Sequence, residues 1–216
     1  MSIVLAIESS TANCAVSIQG AGIDYHKTEF APQQHAKLML PMIQQALADT
    51  ALQPSQLDAL AFGEGPGAFT GLRIAAGVIQ GLAFGWHKPV VAISSLEALA
   101  YQAFEFSGQT QWVACLDARM GEVYTQQVVF NSLGECVSAS TPSLLAQTQV
   151  LDLLRGAHGV GDITQAYPSL VAQADYWLDA CPHARSVARL ALQRLNQACL
   201  ISQAVPQPVY LRASVT

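Results

Sequence analysis

The sequence predicts an α/β chain of two related lobes, the second one reduced, and three observations carry that prediction. Short apolar runs of strand length alternate with longer stretches whose apolar residues recur at helical spacing. The order strand, strand, strand, helix, strand, helix occurs in both halves. Val4-Leu5-Ala6-Ile7-Glu8 also lines up with Val113-Ala114-Cys115-Leu116-Asp117, each a buried strand that closes on a carboxylate. The division falls between residues 1–107 and 108–216.

Ile3–Ile7 is uniformly apolar, the pattern of a central strand covered on both faces. Cys14–Ile18 is a second strand and Ile23–Phe30 a third, after the turn Gly20-Ala21-Gly22. Gln33–Asp49 carries Ala36, Met39, Leu40, Ile43 and Leu47 at helical spacing, with Pro41 inside as a cause of kinking. Leu57–Phe62 is a strand that runs into a glycine-rich loop, and a second helix follows from Thr70 to Trp86. Pro89–Ile93 is a further strand, and Ser94-Ser95-Leu96-Glu97 has the spacing of a capping box that opens a third helix.

In the second half Trp112–Asp117, Glu122–Phe130 and Glu135–Ala139 read as strands, the first two joined by a tight turn at Ala118–Gly121. Pro142 suits the first turn of a helix, here one that reaches Leu154. A short strand at Ala157–Val160 and a helix from Ala184 to Gln197 follow, and the tail after Leu200 is a candidate to return to the first lobe.

Composition narrows the function. Net charge is −5, and the ten Lys and Arg are scattered singly, so no basic stripe exists to neutralise phosphates; weak nucleic-acid binding by the chain alone is expected. Only 12% of residues are charged while 51% are apolar, consistent with apolar surface kept for a partner or with a thick core. The apolar run Ile3–Ile7 is too short for a signal-peptide core or a membrane span, so a cytoplasmic address without membrane contact is expected. Cys14, Cys115, Cys136, Cys181 and Cys199 contain no C-x-x-C pair and are expected to be buried reduced thiols.

No independent catalytic set stands out. His26, His35, His87, His158 and His183 show no spacing that would put two imidazoles on one helix face, and no G-x-S-x-G elbow is present. The run Gly63-Glu64-Gly65-Pro66-Gly67-Ala68-Phe69-Thr70-Gly71-Leu72-Arg73 joins a strand to a helix. It lacks the Lys of a Walker A loop and the spacing of the dinucleotide fingerprint. On its residues alone it is either a tight turn or a contact for an anion or partner at a helix N-terminus. Glu8 and Asp117 are likewise either cleft carboxylates or strand ends that meet a solvated turn.

The duplicated arrangement resembles the actin, hexokinase and Hsp70-like (RNase H-like) fold, in which acidic residues at the first strand of each lobe face a nucleotide and metal. More specifically, Gly63–Arg73 resembles the G-x-G-P-G-S-F-T-G-[LV]-R signature of the TsaB (YeaZ) family. Asp117-Ala118-Arg119-Met120-Gly121-Glu122-Val123-Tyr124 is similar to that family's D-A-R-x-G-E-V-Y segment, and Pro208-Val209-Tyr210-Leu211-Arg212 to its closing P-x-Y-L-R. With the opening Leu5–Thr11 the resemblance spans the chain. Glu8, Ala68 and Ala75 are departures, standing where the family more often has Asp, Ser and Gly.

The resemblance implies a non-catalytic scaffold in the biosynthesis of N6-threonylcarbamoyladenosine at tRNA position 37. It implies pairing with the metal-bearing paralogue TsaD, or with itself when TsaD is absent, and help in recruiting the ATPase TsaE; tRNA is met only through the complex. TsaD carries a run like N-H-L-E-A-H whose two His hold its metal, whereas this chain has Ser94-Ser95-Leu96-Glu97-Ala98-Leu99, with Ser95 and Leu99 at those positions. No metal or other cofactor is therefore expected in the isolated chain, since a hydroxyl and an alkyl group do not replace two imidazoles. Contact with ATP or ADP is expected only in the complex, through Glu8, Gly65, Gly67, Thr70, Asp117 and Arg119.

The first two helices are the expected partner surface. Leu38, Met39, Leu40, Met42 and Ile43 lie on an apolar arc of roughly 200 degrees, wide enough for core and partner at once. On the next helix Gly77, Gly81 and Gly85 recur every fourth residue among Leu72, Ile74, Val78 and Leu82, either to admit another helix or to pack within the lobe. The rival class is an enzyme, a small phosphotransferase of the same fold or a peptidase acting on its partner. An intact nucleotide or nucleophile site would mark it, and the second half has no adenosine-binding glycine motif.

Overall fold

The computed structural model describes residues 2–212 and divides into two compact units. The first comprises the chain up to Ser95 together with His183–Val209, and the second comprises Leu96–Pro182 with the chain from Tyr210 onward.

The first unit is a five-stranded sheet. β1 (Val4–Glu8) is buried along its whole length because β2 (Asn13–Gly20) pairs with it on one side, antiparallel, and β4 (Ala59–Gly65) on the other, parallel. β3 (Ile23–Phe30) and β5 (Val90–Ser94) form the edges, giving the order β3-β2-β1-β4-β5. Strand alternation sends Leu5, Ile7, Val16, Ile18, Leu60 and Phe62 to one face. There they meet α1 (His35–Asp49) and α2 (Phe69–Trp86) through Met39, Met42, Ile43, Ala75, Ile79 and Ala83.

The opposite face carries the small residues Ala6, Ala15, Ala59 and Ala61, which let a helix backbone come close. α6 (Ala184–Gln193) packs on β1, β2 and β4 there, burying Val187, Ala188, Leu190 and Ala191. Arg185 and Arg189 of α6 pair with Asp24 of β3.

The second unit repeats the topology. β6 (Gln111–Asp117) is central, antiparallel to β7 (Glu122–Phe130) and parallel to β10 (His158–Gly161). β8 (Cys136–Ala139) and β11 (Tyr176–Asp179) complete the order β11-β10-β6-β7-β8, the strand sequence of the first sheet once more. Its core gathers Val113, Cys115, Val123, Ile163, Tyr167 and Leu170 with Val150 and Leu154 of α4 (Gln147–Leu154). This duplication is the two-lobe α/β arrangement expected from the sequence.

The domain limits differ from the sequence division at 107 and 108 in two ways. α3 (Ser95–Ser107) groups with the second unit, where Tyr101 and Phe104 stack on Phe130 of β7 with ring centroids 5.6 and 5.4 Å apart. The segment 183–209 groups with the first unit because α6 covers that sheet, so the return begins before Leu200.

Three local readings also change. Residues after Pro142 do not begin a helix: β9 (Ser143–Ala146) pairs with β7, as Leu144 opposite Tyr124 and Leu145 opposite Val123 are better buried in the ladder. The helix from Ala184 stops at Gln193, with a 3₁₀ turn at Leu195–Gln197. α5 (Pro168–Val171) and β11 are too short for periodicity to reveal. Cys14 and Cys115 are buried as expected, whereas Cys136 and Cys181 are half-buried and Cys199 is exposed.

Candidate functional site

Two clusters and one helix face take up the residues singled out by the sequence. The first cluster is the end of β1 and the glycine loop, both within the first unit. The loop glycines are required by close approach: a Cβ on Gly63 would lie 1.8 Å from Glu8 Oε2, and one on Gly71 would lie 1.9 Å from the Ser9 carbonyl oxygen. The backbone of the β1–β2 turn fills the space that side chains would take. Ala68 N–H donates to Ser10 O at 2.7 Å, and Ser9 Oγ donates to Gly71 O at 2.9 Å, so the opening motif and the glycine loop are one packed unit. Val209 N–H donates to Glu64 O at 2.7 Å and Gln80 Nε2 to Pro206 O at 2.6 Å, tying the closing segment to the same loop and helix.

Glu8 lies inside this knot and not on a surface. It is 1% exposed; Oε1 accepts from Ser10 N at 2.6 Å and Oε2 from Ser95 Oγ at 2.8 Å. Burial raises its pKa above the ordinary carboxylate value, and the hydrogen bonds from Ser10 and Ser95 oppose that shift. In this chain by itself both Glu8 oxygens are occupied and enclosed, so the carboxylate is not on an open surface. Ser95 is a hydrogen-bond donor to that carboxylate, a use of its hydroxyl that the sequence did not reveal. Gly65 is buried, Gly67 half-buried and Thr70 exposed at the first turn of α2.

The second cluster belongs to the second unit, at the turn from β6 to β7. Asp117 Oδ1 accepts from Arg119 N at 2.8 Å, and its Oδ2 faces Arg119 Nη1 at 2.9 Å. Tyr167 Oη donates to Asp117 Oδ1 at 3.2 Å, while Asp162 Oδ1 accepts from Asp117 N at 2.9 Å. Burial raises the pKa of Asp162, and the neighbouring Asp117 charge adds to the shift. Asp117 and Arg119 are thus brought together as an ion pair whose cation is exposed. Asp162 and Tyr167 were missed; Asp162 follows a buried strand as Glu8 does, a signal available had the strand been carried to Gly161. From the closing segment, Arg212 binds Glu122 Oε2 and donates to Arg119 O at 3.2 Å, which joins the second and third motifs.

The helix face divides the expected partner residues. Met39, Met42, Ile43 and Leu72 are at most 5% exposed and pack in the first unit's own core, so they seat the helices and offer nothing outward. Leu38, Ile74, Val78 and Leu82 are half-buried, and Leu40 is 46% exposed. α2 buries Leu72, Ala75, Ala76, Ile79 and Ala83, one side only. On its other side a Cβ on Gly77, Gly81 or Gly85 would meet nothing within 4 Å, and Phe84 is 73% exposed. The glycines therefore admit no helix of this chain.

A family model described as "TsaD: tRNA N6-adenosine threonylcarbamoyltransferase" matches residues 27–215. The chain is 39% identical to the tRNA threonylcarbamoyladenosine biosynthesis protein TsaB of Haemophilus influenzae (strain ATCC 51907 / DSM 11121 / KW20 / Rd), over 99% of this chain and 94% of that one. It is 32% identical to the protein of the same name from Escherichia coli (strain K12), over 98% and 95%. Among solved structures it is similar to YeaZ from Pseudomonas aeruginosa, with 34% identity, TM-score 0.84 and coverage of 98% of this chain and 100% of that one. A second Pseudomonas aeruginosa structure, described as an uncharacterized protein with similarity to peptidase YEAZ, gives 35% identity and TM-score 0.86 over the same shares.

Proposed function

We propose that this chain, which belongs to the TsaB (YeaZ) family of tRNA threonylcarbamoyladenosine biosynthesis proteins, acts in that biosynthesis as a non-catalytic scaffold. It pairs with TsaD through the outer sides of α1 and α2, stabilises TsaD in its competent shape and helps recruit TsaE. In the absence of TsaD the same face pairs two copies of this chain. tRNA is met only through the complex, in keeping with the net charge of −5.

The observation that carries this reading is the open glycine side of α2. Interior glycines cost a helix about 1 kcal/mol each relative to Ala. Here three of them recur on a side where, among the described residues, an added Cβ would meet nothing within 4 Å outside the helix's own backbone, beside the exposed ring of Phe84. A helix of a partner, approaching backbone to backbone, gives that arrangement a use. Leu40 extends the apolar side chains on α1. Enclosure of Glu8 supports the non-catalytic part, since its carboxylate already accepts from the Ser10 backbone N–H and the Ser95 hydroxyl.

The test is calorimetric titration of TsaD with the wild-type chain and with Gly81→Leu, together with formation of the modified adenosine by the reconstituted proteins. Gly81→Leu should fold normally, lose TsaD binding and lose modification together. Retention of full TsaD affinity by Gly81→Leu sinks the interface, and turnover by this chain without TsaD sinks the scaffold.

A further inference from the structure

We propose that the outer edge of β5 is a docking site for an extended segment of another protein, which pairs through its main chain with Ala92. Leu60 N–H donates to Pro89 O at 2.9 Å, so the backbone groups that meet β4 are those of Pro89, Val91 and Ile93. The alternate residues Val90 and Ala92 turn theirs to the other side. At Val90 that side is taken: its N–H donates to Cys199 O at 2.8 Å, and Cys199 N–H donates to Val90 O at 3.0 Å. Ala92 is exposed, and among the described residues no strand carries the pairing on to it.

The neighbouring chain is committed elsewhere. In the antiparallel register of Val90 with Cys199, the residue opposite Ala92 is Gln197. Leu195–Gln197 is instead a 3₁₀ turn, with Gln197 N–H bonded to Arg194 O at 2.8 Å and Ala198 N–H to Leu195 O at 3.1 Å. After Cys199 the chain turns away, and it returns where Val209 N–H donates to Glu64 O at 2.7 Å. This arch leaves a cavity of about 300 Å³ beside the edge, whose lining includes Glu64, Ala92, Gln197, Cys199, Val205 and Gln207. That is the lower end of the size of ligand sites. The lining offers amide groups and small apolar side chains, and its one charged side chain is the Glu64 carboxylate. Such a cavity suits a short extended peptide, neutral or basic, that adds itself to a sheet edge. The pair of Val90 with Cys199 shows that docking mode two residues away on the same edge. Because the arch stands over β5, it keeps the β5 edges of two copies apart, and the occupant is a narrow segment of a different protein. The site uses neither α1 nor the glycine side of α2, so it does not rest on the scaffold reading.

The experiment titrates the full chain with the tripeptide acetyl-Val-Ala-Lys-amide and follows the backbone amides by NMR. At saturation the Ala92 amide should shift and should exchange with solvent about fivefold more slowly, the equivalent of one net hydrogen bond. A peptide methylated on the nitrogen of its central residue should bind about fivefold more weakly, and one with a glutamate in place of the lysine should also bind more weakly. Ala92→Pro removes the outward N–H alone, a change that an edge strand tolerates. It should fold as the wild type does and lose most of the affinity for the peptide; should it unfold, the methylated peptide decides on the wild-type chain. An unmoved Ala92 amide, or equal affinity of the methylated and parent peptides, overturns the proposal. Self-association of the wild type that Ala92→Pro abolishes overturns the outside partner in favour of a second copy.

Discussion

β4 is joined to β5, and β10 to β11, by a crossover that carries a helix, yet α2 has 18 residues and α5 has four. Parallel neighbours need only a connection of about a dozen residues. The second unit stays near that minimum, and α5 buries little more than Leu170. The first unit spends many more residues, and α2 still leaves its glycine side bare. Topology therefore fixes that a crossover exists, while its length beyond the minimum is free for binding. The strands that run parallel to the central one, β4 and β10, differ as well. Gly63 closes β4 over the side chain of Glu8, whereas a Cβ on Gly161 at the end of β10 would lie 1.8 Å from the backbone oxygen of Cys115.

That last contrast gives the largest expected effect. Gly161→Ala must displace backbone of the central strand and should cost about 3 kcal/mol; Gly63→Ala meets the end of a side chain that has no room to turn and should cost somewhat less. Urea denaturation of both variants ranks them, and the reverse order would show that the buried Glu8 knot is stiffer than strand backbone. Next comes the α1 arc. Leu38→Glu places a carboxylate beside the first unit's core and should lose about 2 kcal/mol of stability, while Leu40→Glu should melt within about 0.5 kcal/mol of wild type and lose TsaD binding. Equal melting of the two would mean that Leu38 does not seat the helix.

Smaller again is the effect of filling the open side. Gly77→Ala and Gly81→Ala should each stabilise the dilute monomer by about 1 kcal/mol, as nothing lies within 4 Å of the added methyl. A loss of stability in either variant would contradict the bare face.

A pH slope at α6 stands apart from these substitutions. Burial first, and then the charges of His26, Arg185 and Arg189, lower His183 from 6.5 to about 4. Its contribution is complete above pH 6.5 and is lost as the pH falls toward 4. Asp24, lowered from 3.8 to about 2 chiefly by its hydrogen bond to Arg185, follows the same direction further into acid. Glu8, raised by burial, works the other way: its contribution is present at low pH and is lost as the pH rises through the folded value. His183→Asn keeps an acceptor for Ser186 N and should flatten the melting profile between pH 6.5 and 4. A profile as steep as that of wild type would assign the slope to another group.

Much of the first unit was legible in the sequence because its signals are strong: β1 is an unbroken apolar run, and α1 shows a helical period over 15 residues. The second unit was less so. β9 hid behind Pro142, whose preference for a helix start lost to pairing with β7. α5 and β11 span about one turn and four residues, and a period cannot be seen in so little chain. At the site, the motifs named the right segments but not their partners. Gly63 and Gly71 read as turn residues, whereas they are sites of contact with Glu8 and Ser9. Tyr167 carried no short signal, since it meets Asp117 only through the fold of the second unit.

The sequence by itself determined the α/β class, the duplicated strand order and the family, since these rest on local periodicity and on runs of adjacent residues. Tertiary structure alone decided that 183–209 folds back on the first sheet, that Glu8 is enclosed, and that of the two edges of α1 Leu38 turns inward and Leu40 outward. The physical reason is the same in each case. Burial depends on which surfaces meet, and surfaces far apart in sequence are chosen by fit: small residues on the back of β1, β2 and β4 admit α6, and the space beside Gly63 is the size of a carboxylate.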